Sequence, residues 1–299
     1  MSRAIVTGGA GFIGSNLVDS ILPLYDEVIV IDNESSDANE QFYWNNKCTN
    51  YKFDICDYKS IRPLFNDVEV VFHLAAEARI QPAVKNPILA TKTNVVGTCT
   101  VLQCAREANV KRVIYSSTSS GYGLKNDVPL NEEMPDDCLN PYSVTKVSGE
   151  KLCKMYTDLF GLETVTFRYF NVYGERQPIK GQYAPVIGIF IRQRDSGESM
   201  TIVGDGKQRR DFTHVSDVVT ANVLASVLEN KEAVGKVLNI GTGINHSILE
   251  IAKLIGDNYT FIESRLGEAQ ETLANTDRAK EMLGWAPSVK LEDWLKENS

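Results

Sequence analysis

Tyr142 and Lys146 stand four residues apart in NPYSVTK, so a helix through this stretch places both side chains on one face. A tyrosine phenol ordinarily ionises near pH 10 and is a poor base at neutrality. A nearby ammonium stabilises the phenolate, which suits the pair to general acid/base work. Upstream, the apolar run KRVIYSS leads into SSTSSGYG, with hydroxyls at Ser116, Ser117, Thr118, Ser119 and Ser120. Near the start, the glycines of TGGAGFIG (Thr7–Gly14) can be counted in two ways. Gly9, Gly11 and Gly14 form G-x-G-x-x-G, whereas Gly8, Gly11 and Gly14 recur every third residue. On either count the glycines follow a strand-like run and open a helix-like one. In that setting a tight turn brings backbone close to a pyrophosphate at a helix N-terminus.

Asp32 ends the next apolar run, at the distance where an acid accepts hydrogen bonds from an adenosine ribose. No lysine or arginine lies between Thr7 and Asp32 to receive a 2′-phosphate, so NAD is expected rather than NADP. Asp54, closing a third short strand read over YKFDI, is expected at the adenine.

The elements that must position these residues alternate. AIVTG, EVIVID, YKFDI, VEVVFHLAA, KRVIYSS and ETVTFRYF read as strands. Helical patterns cover FIGSNLVDSIL, roughly Pro87–Asn109, and Tyr142–Phe160. Strands apolar throughout suit a parallel sheet covered on both faces, so the fold class is α/β, a doubly wound Rossmann-like sheet. From about Gly174 the texture changes. VIGIFIRQRDSG is helical, MTIVGDGKQRRDFTHVSD reads as a small hairpin and a turn, and KVLNIG is another strand. INHSILEIAKLIG is a helix capped near Asn245 or Ser247. The expected division is a cofactor domain over 1–173, with a later contribution from about 211–250. A smaller, interleaved substrate-binding part then occupies 174–299.

The chain has 299 residues and a formal charge of −8, which argues against a nucleic-acid binder needing a basic face. An acidic protein that binds an anion must gather its cations locally. The six cysteines show no C-x-x-C pair or zinc spacing, so no metal site is expected. They read as reduced, mostly buried thiols. Met1 leads directly into a β-like run, and no apolar stretch approaches the ~20 residues that span a bilayer. A cytoplasmic protein without membrane or nucleic-acid partners is expected.

In order along the chain come TGGAGFIG, Asp32, HLAA (His73–Ala76), Thr118 and YSVTK. RYFNVYGERQ, GDGKQRRDFTHVSDV, NIGTG and RLGEAQETLANTDRAKEMLGW follow. This combination resembles the extended short-chain dehydrogenase/reductases, in particular the NAD-dependent nucleotide-sugar epimerase/dehydratase family, over nearly the whole chain. The resemblance selects Gly8, Gly11 and Gly14 as the working glycines, with Phe12 and Ile13 between them, and leaves Gly9 incidental. It implies further NAD-binding positions at Asp32, Asn33, Asp54, Ile55, Leu74, Ala75, Ala76, Asn94, Ser116 and Tyr169. Thr118, Tyr142 and Lys146 match the catalytic trio, and Lys146 also holds the nicotinamide ribose. Implied substrate contacts are Glu77, Arg79, Thr118, Asn171, Val186, Arg210, Arg265, Glu268 and Thr272. The implied reaction is oxidation of a UDP-hexose at carbon 4, turnover of the 4-keto sugar and re-reduction on the opposite face, with NAD regenerated. A homodimer built on the 87–109 and 142–160 helices is also implied.

Three departures narrow the reading. Dehydratases of the family carry Asp-Glu directly after the catalytic threonine, where this chain has Ser119 and Ser120, although Glu77 matches what many dehydratases carry. Thr272 is small where 4-epimerases gate the sugar's 2-substituent, which favours UDP-N-acetylglucosamine/galactosamine, alongside UDP-glucose/galactose. Arg79 stands where a small residue is common. It could meet the carboxylate of a UDP-uronate, but a local salt bridge to Glu77 is the preferred expectation. A UDP-uronate 4-epimerase, a 4,6-dehydratase and a non-catalytic NAD-binding protein are the alternatives.

Overall fold

Seven strands alternate with helices in the order the apolar runs dictate. The computed structural model describes residues 2–36, 39–179, 184–229, 231–263 and 269–298. The strands are β1 (Arg3–Thr7), β2 (Glu27–Ile31), β3 (Thr49–Tyr51), β4 (Val70–His73), β5 (Arg112–Thr118), β6 (Glu163–Tyr169) and β7 (Lys236–Ile240). They form one sheet in the order β7-β6-β5-β4-β1-β2-β3, and every pairing is parallel. The strand order reverses between β1 and β4, which opens a crevice at their carboxyl ends.

Both faces of the sheet are dry, which is why its strands are apolar without alternation. Ala4, Val6, Val28, Val30, Val70 and Phe72 pack on one side with Leu17, Val218 and Trp285. Ile5, Ile29, Ile31, Val71 and Val113 pack on the other with Val101, Leu102 and Tyr156. A separate core, including Tyr173, Phe190, Ile202, Phe212 and Ile251, serves the later part of the chain.

Several expectations are corrected. The third strand is Thr49–Tyr51, not YKFDI, so Asp54 lies in the turn beyond it. The 87–109 helix runs as Pro87–Thr91 and Thr98–Glu107 around a π-helical turn at Lys92–Gly97, a form that often marks functional sites. The segment after Met200 is not a hairpin. Met200–Val203 pairs in parallel with Tyr259–Ile262, and Arg209–Asp211 pairs antiparallel with Asn245–Ser247. The helices Tyr58–Ile61, Ile80–Lys85, Val215–Val227, Asp277–Leu283 and Leu291–Asn298 were not foreseen. Of the six cysteines only Cys104 and Cys153 are buried, because the others sit at the margins of the helices and loops. The helices around Tyr142 and after Asn245 form as expected. Asn140 caps Pro141–Phe160, and Ser247, not Asn245, caps Ile248–Ile255, each with a capping box. Among the described residues no helix is long and apolar enough to cross a membrane.

Candidate active site

The crevice is a cleft of about 580 Å³. The Gly8–Gly14 loop forms one end, and each of its glycines answers to a different constraint. Gly8 has φ +70°, and a Cβ there would lie 2.7 Å from the Ala75 nitrogen, where the loops after β1 and β4 touch. At Gly14 a Cβ would lie 2.1 Å from the Gly8 carbonyl oxygen, so only glycine lets the helix Phe12–Ile21 start so close to β1. A Cβ at Gly11 would make only ordinary contacts, 3.4 Å from the Gly8 oxygen, and Gly11 faces the cleft. Gly9 is not incidental: a side chain there would meet Val30 Cγ1 at 2.8 Å, so it seats the loop on the sheet.

The Asp32 carboxylate accepts the Ala10 N–H at 3.2 Å and the Glu34 N–H at 2.8 Å, and burial raises its pKa. An open phosphate cradle beside a buried acid fits NAD. Phe12, Ile13, Asn33, Ile55, Leu74, Ala75, Ala76, Ser116 and Tyr169 also line the cleft, as expected. Asp54 does not. It accepts the Cys56 N–H at 2.8 Å, and its neighbours Phe53 and Ile55 form the wall instead. Phe42 and Asn39, which carried no recognisable signal, also line this end.

Thr118, at the end of β5, and Tyr142 and Lys146, in the first turns of the Pro141–Phe160 helix, face the same space. Burial raises the Tyr142 pKa above 10, against the pull of the Thr118 hydroxyl and the Arg79 guanidinium. Lys146 lines the cleft beside Tyr142. Its ammonium lies 4.4 Å from the Tyr115 ring centre, and burial pushes its pKa down to about 7. Behind it His73, neutral and buried, bridges Thr7 (2.7 Å) and Thr98 (2.9 Å). Ser116 bonds Tyr169 at 3.0 Å, and Ser117 belongs to a buried network with Glu150 and Arg168.

Asn94 is fully buried in the π-helical turn and does not face the cleft. Its side chain accepts the Glu77 N–H at 2.8 Å and donates to the Glu77 carbonyl at 3.1 Å and to Thr145 at 2.9 Å. The Asn94 side chain thus clasps the Glu77 backbone to the helix carrying Tyr142. Glu77 is held by these backbone bonds and does not line the cleft either. No ion pair joins Arg79 to Glu77 among the described residues. Arg79 lines the cleft, and its charge acts on Tyr142.

At the far end Asn171, Arg210 and Thr272 converge. Asn171 Nδ2 donates to the Asp211 carbonyl at 2.8 Å, and the Thr272 hydroxyl accepts the Asp211 N–H at 3.3 Å. Val186 lies in an adjoining cavity of about 270 Å³, which shares Arg79, Asn171 and Arg210 with the cleft. Arg265 and Glu268 lie outside the described residues. Among the described residues, Asp32 is the sole acid lining the cleft, against the cations Arg79, Lys146 and Arg210. The cations of this acidic chain do collect where an anion would sit.

The sequence pattern of the NAD dependent epimerase/dehydratase family matches residues 4–241. The chain belongs to this family. It is similar to three solved relatives over nearly its whole length. The UDP-glucose 4-epimerase of Thermotoga maritima, solved with UDP-glucose, is 36% identical with a TM-score of 0.92, covering 98% of this chain and 96% of that one. The UDP-N-acetylglucosamine 4-epimerase of Methanobrevibacter ruminantium, in complex with UDP-N-acetylmuramic acid, is 32% identical with a TM-score of 0.92, covering 99% and 96%. The UDP-glucuronic acid 4-epimerase of Bacillus cereus, in complex with UDP-glucuronic acid and NAD, is 31% identical with a TM-score of 0.88, covering 98% and 96%. NAD is thus the cofactor of this epimerase/dehydratase chain. The glycine cradle and the buried Asp32 fit that cofactor by their geometry.

Proposed function

We propose that the chain is an NAD-dependent UDP-hexose 4-epimerase, acting on UDP-N-acetylglucosamine/galactosamine and also on UDP-glucose/galactose. The observation that carries this reading is the charge layout of the cleft. Dehydration across carbons 5 and 6 needs an acid and a base near the sugar. The cleft's described carboxylate, Asp32, sits at the end of β2, three strands from β5 and so roughly 14 Å from Thr118. Ser119 and Ser120 beside Thr118 do not do that work at neutral pH.

NAD, when bound, supplies the redox chemistry by taking hydride from carbon 4 of the sugar and returning it. Tyr142 takes the proton of the 4-hydroxyl and gives it back, while Thr118 hydrogen-bonds the same oxygen. Lys146 holds the nicotinamide ribose. Asn171 and Arg210, with Arg265, anchor the diphosphate so that the sugar turns over while the nucleotide stays in place; an arginine fork suits phosphate oxygens. Thr272 leaves room for an N-acetyl group at carbon 2. Residues 1–173 with about 211–250 serve the cofactor, and the remainder serves the sugar nucleotide.

The test is incubation with UDP-, dTDP- and GDP-sugars without added NAD, followed by NMR of the product. Inversion at carbon 4 supports the reading, and a 4-keto-6-deoxy product overturns it. Tyr142→Phe is expected to abolish turnover while NAD stays bound. One observation favours a second reading, a UDP-uronate substrate: Arg79 lies in the cleft without an acidic partner among the described residues. A homodimer is supported by exposed apolar side chains on the helices named above, with Ile88 81% and Leu159 67% exposed. Sedimentation at micromolar concentration tests it, a monomer being the contrary result.

A further inference from the structure

The helix Val215–Val227 packs on one face of the sheet and carries a single amide side chain, Asn222, which is fully buried. Its Nδ2 donates to the Val218 carbonyl one turn back at 2.8 Å and to the Tyr169 hydroxyl at 2.8 Å. Its Oδ1 has no partner among the described residues. A buried amide oxygen left unpaired is costly and calls for a reason. The amide cannot exchange its ends, because the Val218 carbonyl only accepts and would then face an oxygen. Asn222 therefore meets Tyr169 as a donor.

That direction carries forward to the cleft. The Tyr169 hydroxyl accepts from Asn222 and gives its own proton to Ser116 Oγ, 3.0 Å away. Burial pushes the Tyr169 pKa up to about 12, so the phenol keeps a proton to give at neutral pH. Ser116 Oγ, already accepting, is left with its own proton, and Tyr169 is its one side-chain partner among the described residues. Ser116 lines the cleft and stands two residues before Thr118, so both hydroxyls project from the same face of β5.

We propose that Asn222 is a positioning residue: it sets the direction of this relay, so that Ser116 presents a hydrogen-bond donor to a neutral oxygen bound in the cleft. Two bound groups carry such an oxygen, the nicotinamide carboxamide and the sugar. The sugar case rests on the epimerase reading, and the carboxamide case does not.

Asn222→Asp reverses the relay while keeping its shape. A carboxyl group buried there takes up a proton, donates it to the Val218 carbonyl and accepts from Tyr169. Tyr169 then accepts from Ser116, whose lone pairs are left facing the cleft. Three quantities are measured on the holoenzyme for wild type, Asn222→Asp, Ser116→Ala and the double variant: the rate of NAD loss on dilution, the dissociation constant of UDP-glucose, and kcat. Asn222→Asp is expected to worsen at least one of them about tenfold. Faster NAD loss assigns the donor to the carboxamide, and weaker UDP-glucose binding or lower kcat assigns it to the sugar. Ser116→Ala is expected to worsen the same quantity, and the double variant to match Ser116→Ala, since a relay has no effect without the hydroxyl it orients. Should Asn222→Asp fail to fold, Tyr169→Phe, which keeps the ring and ends the relay, carries the same comparison. Wild-type values in Asn222→Asp overturn the proposal, and so do effects that multiply in the double variant, as a purely structural role would give. Faster NAD loss with this non-additivity, in a protein that epimerises no sugar, keeps the relay and removes the epimerase reading.

Discussion

Asn94 Nδ2 lies 2.9 Å from Thr145 Oγ1 and joins the π-helical turn at 92–97 to the helical turn that presents Tyr142 and Lys146. The widened turn brings a polar side chain inward at a point where a regular helix would keep an apolar one. Its hydrogen bonds go to the Glu77 backbone and the Thr145 hydroxyl.

Asn94→Leu keeps the heavy-atom count and branching and removes three buried hydrogen bonds, stranding the Glu77 N–H and C=O. A loss of about 2–4 kcal/mol in urea unfolding is expected. A loss below about 0.5 kcal/mol would show that the clasp is not structural.

Two of the cleft-side glycines, Gly11 and Gly14, should separate binding from folding. Gly11→Val meets no backbone within 3.4 Å, so its melting temperature should stay near wild type while NAD binding weakens at least about tenfold. Gly14→Ala drives a Cβ into the Gly8 carbonyl, so it should lower the melting temperature as well. Calorimetric titration and melting of the two variants decide this, and identical behaviour would refute it.

His73 predicts how stability changes in acid. Burial depresses its pKa to about 3, below the ordinary 6.5, so the unfolded chain binds the proton more readily than the folded one. Stability from this residue is complete above pH 6.5 and is lost as pH falls toward 3. Between pH 6.5 and 4.5, above the ordinary carboxylate range, unfolding free energy should fall by up to about 3 kcal/mol. His73→Gln should flatten that slope. An equal slope in the variant would rule out His73 as its source.

Thr272→Tyr is expected to abolish turnover of UDP-N-acetylhexosamines while sparing UDP-glucose and UDP-galactose. Product ratios from the same NMR assay measure it. Equal loss on both substrate classes would place Thr272 in structure rather than selection, since its hydroxyl also holds the Asp211 N–H.

What could be read from the sequence follows the reach of local patterns. The parallel sheet was legible because Ala4, Ile5 and Val6 are apolar in succession, as burial on both faces requires. The glycine loop and the Tyr142–Lys146 spacing were legible because each constraint acts within a few residues. β3 was misplaced because TNY, polar and mostly exposed, carries no pattern of its own. The strands after Met200 were misread as a hairpin because their partners, Asn245–Ser247 and Tyr259–Ile262, come much later in the chain. The helix Val215–Val227 was missed because it is buried and apolar on most sides, which blurs its period. Arg79 was assigned to Glu77, its near neighbour, although its charge acts on Tyr142, far along the chain. Asn94 gave no sign of being a clasp, since one asparagine in an amphipathic stretch does not announce a π turn.

The late arrival of β7 bears on how such a chain can be made and recombined. β7 pairs with β6 only after residues 170–235 have been laid down, and Val215–Val227 covers a face of the same sheet. A nascent chain that has released only β1–β6 carries an open sheet edge and an uncovered apolar face, both prone to wrong association. A fragment ending at residue 173 should therefore aggregate rather than bind NAD. Exchange of the sugar-handling part between relatives by a single crossover would also carry away a strand and a helix of the cofactor sheet. Two crossovers, one on each side of the inserted segment, would be needed to change the sugar and keep the sheet intact.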